Sequence, residues 1–520
     1  MSVQVVWFKR DLRAVDHTPL VRATAAGPVL CVYILEPALW QQPDAARQHF
    51  HFALECLRDL YTDLRSLGLT LQIRVGDAVQ VLQDIHDTHT IAALHSHEET
   101  GNSWTYQRDQ QVGAWCKRLQ IEWLEAPQFG VVRRLKHRDL WQPAWNELMA
   151  QEMTPPLQKG EAIDAMPHWR QPVLPSADDL GLSSHEPHAR QRGGRSAGMA
   201  VLSDFLNDRS RLYRGGISSP MTAPEACSRL SPYLSMGCIS MREVVQRTRA
   251  RMEDPDLSVR QRKGLHAFNS RLYWHCHFIQ KLESEPDIEW CNMHRGYDGL
   301  REPEFNDAHF EALKTGRTGW PLVDACVHML HATGWLNFRM RAMLVSVAAY
   351  PLWLHWRPVG EWLAREFLDY EPGIHWSQLQ MQSGTTGINT TRVYNPIKQA
   401  QDQDPHGHFV RHWIPAMRRV PDTWLFEPWR MPESVQAQCG VVVGRDIPAP
   451  VVDLESAIRS NKQRLHARRQ QPEVKAATPS VVRKHASRRS KGGALGARPS
   501  RSSRRPSDPI ANVQFSLLDD

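Results

Sequence analysis

GRTGWPLVDA (residues 316–325), TGWLNFRMR (333–341), HWRPVGEWLAREFLDYEPG (355–373) and RVYNPIKQAQDQDPHGHFVRHWIP (392–415) follow one another in the second half of this 520-residue chain. Apolar residues around these blocks recur every three or four positions, the period of helices that bury one face. That period sets in near Gly198 and is dense in Trp and His. The second half is therefore expected to fold as an almost entirely α-helical domain.

The first half reads differently. VQVVWF at 3–8 is a short apolar run of strand type, and similar runs recur at Val29 to Leu35, Leu69 to Val75 and Ile91 to Ser96. Helical segments lie between them, the longest from Ala45 to Leu67. Strands alternating with helices imply a doubly wound parallel sheet. No GxGxxG follows the first strand, so the standard dinucleotide fingerprint is absent. From Gln128 to about Arg195 the pattern weakens and Pro155, Pro156, Pro167, Pro172, Pro175 and Pro187 intervene, as in a long connector. The expected division is an α/β domain at 1–130, a connector at 131–195, a helical domain at 196–470 and a basic tail at 471–520.

Composition excludes several classes. No apolar run approaches the length of a membrane span, and MSVQVVWFKR lacks the order of a secretory signal, so a cytoplasmic protein is expected. The nine cysteines are scattered without a CxxC pair, as reduced thiols are. His275, Cys276 and His277 are consecutive, but helix neighbours diverge by about 100°, so no metal site is expected there. The net charge of +7 is local: residues 473 to 508 hold ten Lys or Arg against two acids. That Ser-, Gly-, Pro- and Arg-rich stretch has almost no aromatics, so it is expected to be disordered, a solubilising tail or a cationic arm for phosphates.

Taken together, the quoted blocks resemble the flavin-binding domain of the DNA photolyase and cryptochrome family. WFKRDLRAVDHTPLVRA at 7–23 resembles the opening of the same family, with Trp7, Arg10, Asp11, Leu12, Arg13 and Asp16 matching. NPIKQ at 395–399, DP at 404–405 and FVRHWIP at 409–415 match its C-terminal part, with Asn395 and Gln399 as candidate polar anchors, and the resemblance covers about residues 3 to 470. It implies an FAD held in a folded-over shape by the helical domain. It also allows a second, antenna chromophore of folate or deazaflavin type in the α/β domain, although 97–109 departs from the folate pattern.

By resemblance, CSRLSPYLSMGCIS at 227–240 is the phosphate side, with Cys227, Ser228, Arg229, Leu230 and Ser231 in the binding run and Cys227 replacing the usual Thr. Small hydroxylated residues at a helix start suit a diphosphate. Tyr213 matches a tyrosine near the flavin phosphates or ribityl chain. Arg341 and Asp369 match the pair beside the isoalloxazine, where a fixed cation stabilises an anionic reduced flavin. Glu371 follows in the same motif. His375 stands where photolyases commonly place Asn against the flavin N5.

Other positions depart from the family. Trp356 matches the middle of its three electron-carrying tryptophans, while Leu379 and Leu313 fall at the inner and outer positions; Trp320, Trp335, Trp353, Trp362 and Trp376 are near in sequence. In the lesion pocket Trp274 is retained, Arg271 stands in the position of a Glu, and Met381 replaces a second tryptophan. Arg339 matches a contact to DNA phosphate. The paired histidines of enzymes acting on the other ultraviolet photoproduct are absent, with Asn337 and Ala342 in that region.

The activity implied is light-driven repair of pyrimidine dimers in ultraviolet-damaged DNA, with nucleoid association during repair and Trp274, Arg271, Met381 and His375 around the reacting groups. The alternative is a cryptochrome-like photoreceptor without repair activity. Separately, Gln514, Phe515, Leu517 and Leu518 in VQFSLLDD resemble the peptide by which bacterial repair proteins bind the DNA sliding clamp.

Overall fold

The computed structural model describes residues 2–388 and 393–485. Five strands, β1 (Val3–Phe8), β2 (Val29–Leu35), β3 (Leu71–Val75), β4 (Ile91–His97) and β5 (Glu122–Ala126), form one sheet in the order β3-β2-β1-β4-β5. Every pairing is parallel. Helices α1 (Thr18–Ala26), α2 (Arg47–Ser66), α3 (Ala78–His89) and α4 (Ser103–Leu119) connect the strands. Both sheet faces are covered: Val6, Phe8, Cys31 and Leu71 pack with α1 and α2, whereas Val5, Trp7, Leu30 and Val32 pack with α3 and α4. That double burial explains why β1 and β2 read as nearly continuous apolar runs. The doubly wound reading holds; β5, the edge strand EWLEA, has no such run and was not foreseen.

The connector contains one further helix, Trp141–Ala150, whose Trp141, Trp145 and Met149 are buried. Beyond it the chain is helical, as the 3.6-residue period implies. The helices that shape the site are α5 (Val259–Ser284), α6 (Phe338–Ala349), α7 (Trp356–Glu366) and α8 (Pro372–Ser383). α8 packs on α5, α6 and α7. Its start presses so closely on α5 that a Cβ on Gly373 would lie 2.6 Å from the Ile279 Cα. The two domains are tied by Arg10, which donates to Glu371 Oε2 at 2.6 Å and to the Ser235 carbonyl at 2.9 Å. Arg13 donates to the Gly237 carbonyl at 2.9 Å.

The helical body continues past the expected boundary at residue 470. After α9 (Leu454–Gln470) comes α10 (Pro472–His485), inside the stretch expected to be disordered. Val474 is buried with Tyr297, Tyr350 and Leu465, and His485 Nε2 lies 2.6 Å from Glu285 at the end of α5. These contacts anchor what composition reads as a charged tail. The clamp-like peptide at 514–518 lies outside the described residues. Among the described residues no helix is long and apolar enough to cross a membrane.

Candidate functional site

One cavity of about 380 Å³ opens between α5, α6, α8 and the segment around Ser228. Its lining includes Tyr213, Cys227, Ser228, Arg229, Leu230, Ser231, Trp274, Arg271, Arg339, Arg341, Asp369, Glu371, His375 and Met381. The site residues expected from sequence within the described residues are therefore brought together here, with Trp356, Asn395 and Gln399 as the exceptions.

Arg341 and Asp369 form a two-pronged pair, Nη1 to Oδ1 at 2.9 Å and Nη2 to Oδ2 at 3.0 Å. Ser231 Oγ donates to the same Oδ2 at 2.6 Å. Burial pushes the Asp369 carboxyl up, yet Arg341 and the Ser231 hydroxyl outweigh it and leave the group below its ordinary range. The guanidinium also lies over the Phe367 ring at 4.1 Å. A fixed cation and a fixed anion thus sit in a mostly apolar wall.

Two residues before Ser231, Arg229 takes a left-handed backbone with φ of 62° and stacks on Trp335 at 3.9 Å. Such a conformation in a non-glycine residue is held only where its surroundings fix it. Among the described residues, none of the backbone N–H groups from Ser228 to Ser231 donates to another protein group. Successive unspent N–H groups beside a left-handed residue make an anion cradle. Burial raises the Cys227 thiol to about 12, so it remains protonated.

His375 donates from Nε2 to the Gly360 carbonyl at 2.8 Å. Burial lowers its pKa to about 4, so the ring is neutral at physiological pH and its Nδ1 is an acceptor. Gly360 is required there, since a Cβ would lie 2.5 Å from the Trp376 ring. Glu371 spends Oε2 on Arg10, while Oε1 has no partner among the described residues. Arg271 and Tyr213 both line the cavity, and Tyr213 packs against Phe205 and Phe268. Asn395 is not on the cavity: its side chain caps the helix Pro396–Gln403 by accepting from Ile397 and Lys398 N–H. Gln399 belongs to that same short helix.

Trp356 is buried behind the lining and donates to Asn292 Oδ1 at 2.8 Å. Its ring meets Trp376 at 6.0 Å, and Trp376 meets the His375 ring at 5.0 Å. Leu379 lines the cavity and Leu313 is buried in the helical core, so aliphatic side chains occupy both positions expected to interrupt the usual relay. Arg357 lies over Trp376 at 5.4 Å and over Trp290 at 3.7 Å, and Trp290 is 49% exposed.

Sequence reasoning missed Phe278, His275, Gln378 and Gln382, all on the lining. Phe278 sits one helical turn from Trp274 on α5, a spacing that would have found it. In the α/β domain, the crevice at the carboxyl ends of β1, β2 and β4, where open parallel sheets take their ligands, holds a salt-bridge network. Arg108 there pairs with Glu36, Glu99 and Asp109, and Lys9 pairs with Asp109 at 3.0 Å.

The lining fits an FAD: an N–H cradle with serine hydroxyls suits a diphosphate, and the Arg341–Asp369 pair suits a polar ring edge. Comparison with known proteins agrees. Residues 268–467 match the FAD binding domain of DNA photolyase, and residues 4–132 match the DNA photolyase domain. A cryptochrome DASH from Gloeobacter violaceus is 28% identical over 494 residues, covering 88% of this chain and 94% of its own. A deoxyribodipyrimidine photo-lyase from Streptomyces griseus is 29% identical over 476 residues, covering 88% and 98%. An archaeal photolyase from Sulfolobus tokodaii, solved with two FAD molecules, superposes with a TM-score of 0.71 at 25% identity, covering 90% of this chain and all of the other. On its fold, its cavity and both matched domains, the chain belongs to the DNA photolyase and cryptochrome family of FAD-binding proteins.

Proposed function

We propose that this protein repairs ultraviolet-damaged DNA in light by splitting pyrimidine dimers. The observation that carries the reading is the continuity of the cavity: Arg341, Asp369 and His375 line the same space as Trp274, Arg271 and Met381. Reduced FAD, when bound, would supply the light-driven electron that ring splitting requires. Arg341 keeps positive charge fixed in the wall, and Asp369 fixes the orientation of its fork. Neutral His375 offers an acceptor rather than a second cation. Trp274, Phe278 and Met381 present apolar faces on which an extruded base stacks, and Arg339 places a cation for backbone phosphate. Trp376 and Trp356 supply adjoining rings for an electron entering from the protein side.

Light sensing without repair is the second reading. Arg271 favours it, because a guanidinium in place of the carboxylate expected in dimer-splitting relatives reverses both charge and donor pattern. Illuminating the FAD-loaded, reduced protein with DNA carrying defined dimers separates the two: loss of dimers supports repair, and their persistence supports sensing. A contact of the terminal peptide with a sliding clamp is proposed on sequence alone. Equal clamp recovery by the full chain and by a chain ending at Asn512 would remove it.

A further inference from the structure

Gln378 and Gln382 stand four residues apart on α8 and both line the cavity. Residues at that spacing share a helix face, and His375 lies on the same side three residues before Gln378. Gln382 is only 4% exposed, and its Nε2 has no hydrogen-bond partner among the described residues; the same holds for Gln378 Oε1. Buried amide atoms are rarely left unpaired, because the water they lose must be replaced. Here an unspent donor and an unspent acceptor border a space large enough for a ligand.

The neighbours define that ligand. Met381 lies between the two glutamines in sequence, and Trp274 and Phe278 face the cavity from α5, their rings 5.9 Å apart. Arg271 is the charged group on the same stretch of α5 and lines the cavity with Tyr213. Trp274, Phe278 and Met381 thus set flat and apolar faces in the same space as the two amides. A carboxamide offers a donor and an acceptor side by side, which complements the adjacent carbonyl and N–H of an imide. A pyrimidine base carries such an edge, and two linked pyrimidines carry two.

We propose that Gln378 and Gln382 read the imide edges of the two damaged bases and so set the preference for lesion over undamaged DNA. This assignment rests on the repair reading above. The flavin ring carries an imide edge as well, but Gln382 is seven residues beyond His375, about 10 Å along the helix axis, and the Arg341–Asp369 pair already offers polar groups on the cofactor side. The glutamines substitute hydrogen-bond donors and acceptors for the carboxylate that Arg271 displaces.

The test uses the full FAD-loaded chain in the dark, with Q378M, Q382M, the double methionine variant and the matching alanine variants. Binding is measured to a duplex with one cyclobutane thymine dimer and to the undamaged duplex, and bound flavin is measured by absorbance. Each single variant is expected to lower the lesion preference about fivefold, and the pair about 25-fold, one hydrogen bond for each amide. Undamaged-DNA affinity and flavin content stay unchanged. An unchanged lesion preference in the double variants overturns the proposal. So does loss of flavin, which would assign the glutamines to the cofactor's own imide edge. A wild-type protein without lesion preference removes the repair reading and this assignment with it, whereas wild-type preference retained by the variants removes the assignment alone.

Discussion

Arg341 meets Asp369 fork to fork, at 2.9 and 3.0 Å, and Ser231 adds a third donor to the same carboxylate at 2.6 Å. Removing one partner leaves the other charged in an apolar wall. Arg341→Ala is expected to cost about 2–3 kcal/mol after allowing for the partial exposure of Arg341, and to abolish flavin retention on gel filtration. Because the Asp369 carboxyl sits below its ordinary 3.8, its stabilisation is present above that value. It is lost only as pH falls through the lower folded value. Flavin retention in wild type should therefore show no Asp369 titration across neutral pH.

His375 and His275 both have pKa values lowered to about 4, with burial as the largest cause. Between about pH 6.5 and 4 the unfolded chain binds protons that these rings refuse, so stability falls as pH falls through that window. Thermal unfolding at a series of pH values should show this slope, and His375→Asn should flatten it. An unaltered slope would mean that the His375 ring is charged in the folded protein.

Trp356 and Trp376 are adjoining buried rings. If they carry electrons toward the cavity, W356F and W376F should each slow flavin photoreduction about tenfold, equivalent to about 1.4 kcal/mol of barrier. Flavin content should not change. Leu379→Phe, on the lining itself, offers a ring at the interrupted position and should not slow the reaction.

Val474 is buried in one cluster with Tyr297, Tyr350 and Leu465 and fixes α10 to the body. V474A should lower stability by about 1–2 kcal/mol, read as a fall in Tm, and should increase proteolysis within 472–485. Preserved Tm would show that α10 does not contribute to the folded body.

β1 and β2 were legible as nearly continuous apolar runs and the edge strand β3 as the alternation Leu71, Ile73, Val75, whereas the other edge strand, Glu122–Ala126, carries two acids in five residues and no such signal. α10 carries a readable signal that charge obscured: Val474, Thr478, Val481 and His485 recur at spacings of four, three and four. Within the site, Arg341, Asp369, Ser231, Trp274 and Met381 were legible from motifs. Gln378 and Gln382 were not, since polar residues on a helix ordinarily face solvent, and only the fold turns this face inward. Glu371, in the motif that holds Asp369, lines the cavity and also gives one of its oxygens to Arg10, 361 positions earlier in the chain. No local pattern encodes a partner at that distance.

Repair itself is tested most directly by illuminating the reduced, FAD-loaded protein with single- and double-stranded DNA that carries one defined pyrimidine dimer, and counting dimers over time. Light-dependent loss of the dimer, absent in the dark and absent in Arg341→Ala, is the expected result. Persistence of the dimer on both substrates, with flavin bound and reduced throughout, would contradict repair as the function of this cavity.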